Sequence, residues 1–132
     1  MKITADTNVL VRLIMADDET QSALAIAVVE KASVVAVSIH ALCELVWVLD
    51  RHYGVARADI AAAIRTLIGT SNVVVNRPTA EAGLAMLDAG GDFADGVVAY
   101  EGKWLGGERF VSFDKRAVSR LLAQGQAAQL LQ

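Results

Sequence analysis

Residues 1–13, MKITADTNVLVRL, decide the fold: a short extended stretch ends in a carboxylate, a hydroxyl and an amide (Asp6, Thr7, Asn8), then passes at once into an apolar segment. Val9, Leu10, Leu13 and Ile14 recur at helical spacing, which predicts a strand over 2–5 and a helix over 8–15. The alternation continues outward. VVAVS (34–38), VVV (73–75) and RFVSF (109–113) are short, apolar and largely β-branched or aromatic, as buried strands are. Helices are predicted over 22–31, 41–53, 56–68, 79–89, 92–105 and 114–122, with Gly54, Gly69 and the Gly90–Gly91 pair as stops. The tail, 123–132, reads equally as an edge strand or a frayed helix. Short apolar strands alternating with helices define an α/β class, a three-layer α/β/α sandwich around a central, mostly parallel sheet.

With 132 residues, 55% apolar and 20% charged, the chain suits a single domain over 1–132 with a real core. Its longest uncharged runs are about 12 residues, short of the roughly 18 of a membrane span, and no secretory signal is read at the start. No membrane association is expected, and residence is expected in the cytoplasm. The single cysteine, Cys43, excludes an intrachain disulfide. A formal charge of −3 excludes a broad basic surface that holds nucleic acid by counterion release alone. The apolar excess, rich in Ala and Val, points to an oligomer or partner surface. Trp47 and Trp104 are expected to pack in a core or dimer contact rather than stack on bases.

In parallel sheets, ligands sit beyond the carboxyl ends of the strands. Asp6 follows the first strand and Asp114 the last strong one; either can also cap the helix it precedes. Glu44 is the only Asp, Glu, Lys or Arg between Lys31 and Asp50, so its charge requires a partner cation or a cleft open to solvent. In GGDFADGVV, Asp92 is placed to cap a helix, and Asp95 lies one turn on. Four converging carboxylates, Asp6, Glu44, Asp95 and Asp114, would repel one another unless a cation lay among them. The donors are all oxygens, and His40 and His52 lack zinc-type spacing with Cys43, so Mg²⁺ or Mn²⁺ fits better than zinc. Such an ion activates water and neutralises phosphoryl charge, the chemistry of phosphodiester hydrolysis. Arg12, Lys115, Arg116 and Arg120 are the basic residues nearest these acids in sequence, suited to flanking phosphates or to solvated helix faces.

These pieces, ADTNVLVRL, SIHALCELVWVLDRHYG, GGDFADGVVAY and FVSFDKRAV, resemble in order and interval the PIN-domain ribonucleases, and among them the VapC-type toxins of bacterial type II toxin–antitoxin pairs. The resemblance implies that Asp6, Glu44, Asp95 and Asp114 are the metal-site acids, with Asp92 a helper and Asn8 and Ser112 lining the site. It further implies a Mg²⁺- or Mn²⁺-dependent endoribonuclease acting on tRNA or other structured RNA, a homodimer, silenced by a VapB-like antitoxin. Two departures stand out. Ser112 replaces the commoner Thr but keeps the hydroxyl, and Gly96 and Gly102 each weaken their helix by about 1 kcal/mol relative to Ala. That weakness admits a catalytically impaired RNA- or protein-binding module as the alternative. A phosphotransfer or phosphatase domain fits less well, because Asn8 stands where the second Asp of such a site is wanted.

Overall fold

Strand β1 (Lys2–Thr4) is only three residues long in the computed structural model, which describes residues 1–132. The chain leaves it through Asp6, whose extended backbone and side-chain bond from the Thr7 N–H start α1 (Thr7–Ile14). Capping recurs wherever a helix follows a polar turn. Asp18 accepts the Gln21 N–H ahead of α2 (Glu19–Lys31). After β2 (Val34–Ala36), Ser38 accepts the Ala41 N–H ahead of α3 (Ile39–Arg51). Each cap satisfies an N–H that would otherwise lack a partner and adds about 1 kcal/mol. Helix α4 (Arg57–Ile68), β3 (Val73–Val74), α5 (Arg77–Asp88), α6 (Phe93–Trp104), β4 (Phe110–Ser112), α7 (Lys115–Ala123) and β5 (Ala128–Leu130) complete the order.

Every strand pair is parallel. β1, β2 and β3 form one sheet with Lys2 opposite Val34 and Val35 opposite Val73, and β4 pairs β5 with Phe110 opposite Ala128. Parallel neighbours need crossovers, which the intervening helices supply. The tail left open by the sequence is thus partly a strand, and the expected central sheet is registered as a three-stranded and a two-stranded sheet.

The chain divides into two compact units, Met1–Arg77 and Pro78–Gln132. In the first, α1 packs on α2 and α3, and α3 on α4. Leu10, Val35, Leu42, Leu45, Leu49, Ile60 and Ile64 are fully buried. Leu42, Leu45 and Leu49 fall on one stripe of α3, which leaves His40, Glu44 and Trp47 on the opposite, exposed side. At its end Gly54 takes φ 63°, the left-handed conformation glycine adopts without strain.

In the second unit α5 and α6 meet through glycines. A Cβ added at Gly83 would lie 2.6 Å from the Phe93 ring, and one at Gly96 only 2.5 Å from the Ala82 carbonyl oxygen. Gly96 therefore permits a close helix approach. The helix weakness expected of Gly96 from the sequence is thus joined by a packing role that the sequence did not show. Gly102 differs, since nothing lies within 4 Å of a Cβ built there. Gly102→Ala is expected to raise the unfolding free energy by about 1 kcal/mol through helix propensity, read as a shifted urea midpoint at unchanged slope.

Candidate active site

The first unit presents Asp6 and Glu44. Asp6 is exposed, caps α1 through the Thr7 N–H at 2.9 Å, and also accepts the Val9 N–H on its carbonyl. Asn8 lies exposed in the same turn. Of the two alternatives its apolar surroundings impose, Glu44 meets the opening to solvent: its side chain is half exposed, and His40 Nε2 stands 2.6 Å from its Oε1. The Thr7 hydroxyl approaches Oε2 at 3.5 Å, tying Glu44 to the turn that carries Asp6.

The second unit gathers more charge. Asp92 caps α6 by accepting the Ala94 N–H, as its sequence position implied. Asp114 caps α7, its Oδ1 accepting from Arg116 and Ala117 at 3.0 and 3.2 Å, while its own N–H donates to Ser112 Oγ at 2.9 Å. Asp95 lies in the first turn of α6 and is partly buried. Burial raises its pKa above the ordinary carboxylate value, and the negative charges of Asp92 and Asp114 add to the rise. Asp95 thus feels the charge of both neighbours. Neither unit, however, draws three or more His, Cys, Asp or Glu side chains into a ready-made metal cluster. The donor set still suits a hard divalent ion: all oxygen, mutually repelling, with one member whose charge is unfavourable without a cation.

The basic candidates separate. Lys115 and Arg116 are exposed in the first turn of α7, where the helix dipole disfavours cations and only the Asp114 cap offsets them. With Ser119 and Arg120 they line a shallow pocket, and Arg120 runs along Gly90 and Gly91. Arg12 is otherwise engaged. Its Nε donates to Gln21 at 2.7 Å and its Nη1 to Asp17 at 2.6 Å, with Tyr53, which itself donates to Asp17, beside it. The Tyr53 hydroxyl and then the Arg12 charge hold Asp17 below its ordinary pKa. Arg12→Ala is accordingly expected to lower the thermal midpoint and leave RNA affinity unchanged; weakened RNA binding at an unchanged midpoint would restore it to the phosphate contacts.

Sequence reasoning named Thr7 and His40 but gave neither a contact with Glu44. The only available signal was the i,i+4 spacing of His40 and Glu44, which puts both on one helix face. Of the two places expected for the tryptophans, a core or a dimer contact, the core is excluded, since Trp47 is 61% and Trp104 78% exposed.

Parallel strands with helical crossovers and acids at the strand-to-helix turns place the chain among the α/β folds that bind ligands beyond the strand ends. A family model of the PIN domain matches residues 3–121, and the chain belongs to the PIN-domain family. Its seven helices and parallel sheets agree with the three-layer α/β/α class. PIN domains are generally metal-dependent nucleases, which supports a hydrolase acting on RNA. No curated protein matches the chain in sequence. No helix is long and apolar enough to cross a membrane.

Proposed function

We propose that the chain is a Mg²⁺- or Mn²⁺-dependent endoribonuclease and the toxin of a VapBC-like pair, acting on tRNA or other structured RNA in the cytoplasm. The observation that supports it most is the crowding of carboxylates about Asp95 in a chain of PIN type. Asp6, Glu44, Asp95 and Asp114 would hold the ion, which when bound supplies Lewis acidity toward water and the phosphoryl group. Lys115 and Arg116 neutralise flanking phosphates, with Arg120 beside them. Ser112 and Asn8 orient the groups around the acids, and Asp92 keeps the turn before Asp95 in shape.

A homodimer and a VapB-like antitoxin belong to the same reading, as does one domain over 1–132. Exposed Ile26 on α2, which lines a groove with Leu13, Val29, Ala63 and Leu67, and exposed Leu24 and Val28 elsewhere on the same helix support a protein partner. Two experiments test the reading. Purified chain should cleave RNA with Mg²⁺ or Mn²⁺ and stop when a chelator is added; cleavage that survives chelation sinks the metal assignment. Expression should arrest growth, and the small open reading frame beside the gene should relieve the arrest. Normal growth without that neighbour would remove the toxin role.

A further inference from the structure

The Glu44 carboxylate is engaged at both oxygens, by groups from two different helices. His40, one turn earlier on α3, approaches Oε1 at 2.6 Å, and Thr7, at the start of α1, approaches Oε2 at 3.5 Å. The His40 side chain is 85% exposed and that of Glu44 53%, whereas Thr7 is buried. An exposed i,i+4 pair adds little to folding stability. Its consequence is for orientation: a glutamate with no partner on an open helix face explores several rotamers, and a partner at each oxygen narrows them.

We infer that His40 is a positioning residue for Glu44, aiming its carboxylate, together with Thr7, toward the turn that carries Asp6 before any ion arrives. The inference rests on the proposed role of Glu44 in holding a divalent ion. The geometry sets the division of labour. His40 Nε2 faces an acceptor oxygen and so carries the proton, which leaves no lone pair on that nitrogen for a metal. His40 acts through the carboxylate. Thr7, held in place by its burial, supplies the second contact, a long one that sets direction more than strength. Groups of this kind, which orient a ligand without touching the ion, change metal affinity by about 10–100-fold when removed.

Mn²⁺ titration calorimetry at one fixed pH tests this. Four purified chains are compared: wild type, Glu44→Gln, His40→Ala and His40→Gln. The high exposure of His40 keeps the fold out of the comparison, and circular dichroism verifies it. His40→Ala should bind Mn²⁺ roughly tenfold more weakly, and His40→Gln, which still reaches Glu44 with an amide N–H, should return to within about threefold of wild type. RNA cleavage should fall more at limiting than at saturating Mn²⁺, as a loss of orientation requires. Wild-type affinity in His40→Ala, alongside lost binding in Glu44→Gln, overturns the inference and leaves the metal reading intact. Equal weakness in His40→Ala and His40→Gln overturns it in favour of direct ligation by the imidazole. If wild type takes up no Mn²⁺, or Glu44→Gln binds as wild type does, the reading beneath it fails as well.

Discussion

Asp95→Asn is expected to abolish metal-dependent RNA cleavage while leaving a chain at least as stable as wild type at neutral pH. The loss follows from the proposed role of Asp95 in holding the ion. Such a contribution amounts to several kcal/mol of transition-state stabilisation, or roughly a thousandfold or more in rate. The gain in stability follows from the pKa. Burial first, and the charges of Asp92 and Asp114 second, raise Asp95 above its ordinary value, so these outweigh the attraction of the α6 dipole for an acid in its first turn. Between the unfolded and the raised folded pKa, the folded chain binds more protons than the unfolded one. The unfolding free energy therefore falls as pH rises through that window and remains lower above it. Asparagine carries no charge and removes the decline. Thermal melts across pH without metal should show wild type losing ground to the variant on the alkaline side of the usual carboxylate range. Adding Mn²⁺ should restore wild type alone. An Asp95→Asn chain that cleaves RNA at the wild-type rate, or melts below wild type at neutral pH, contradicts the assignment.

Gly96→Ala should destabilise the fold, although alanine is the better helix former. Propensity favours the substitution by about 1 kcal/mol, but the new methyl would lie 2.5 Å from the Ala82 carbonyl oxygen and 2.8 Å from Met86 Cβ. A backbone oxygen cannot swing aside, so α5 and α6 must separate, and overpacking of this kind costs about 1–3 kcal/mol or more. The expected net loss is about 2 kcal/mol, read as a lower denaturation midpoint, with weaker cleavage because Asp95 moves with the helix. Gly102→Ala, in the same helix but in open space, shifts the midpoint the other way. Equal shifts at the two positions would mean that α6 does not lie against α5 as described.

The strands and most helices were legible because hydrophobic period and turn residues agree locally. The valine runs gave β2 and β3, and Asp92 and Asp114 announced the helices they cap, whereas Ser38, read as the end of a strand, is the cap of α3. What the sequence left unresolved depended on distant partners. The tail becomes β5 through its register with β4, a pairing that AAQLL, apolar and rich in helix formers, does not announce. Gly96 looked like a defect because no local pattern reports how near Ala82 comes. Arg12 looked available because Tyr53, 41 positions away, is not visible from α1. The acids were identifiable as unusual charges after strands and inside an apolar helix; which bonds each makes, and that burial raises the pKa of Asp95 with its neighbours' charges adding to it, depend on packing that no local pattern reports.

Asp6, Asp92 and Asp114 each begin a helix as well as carrying charge. Asparagine caps about as well as aspartate. One base change from an aspartate to an asparagine codon at any of the three would thus silence a charge and spare the architecture. Under the proposed function, lineages that shed the activity this way would keep a well-folded descendant.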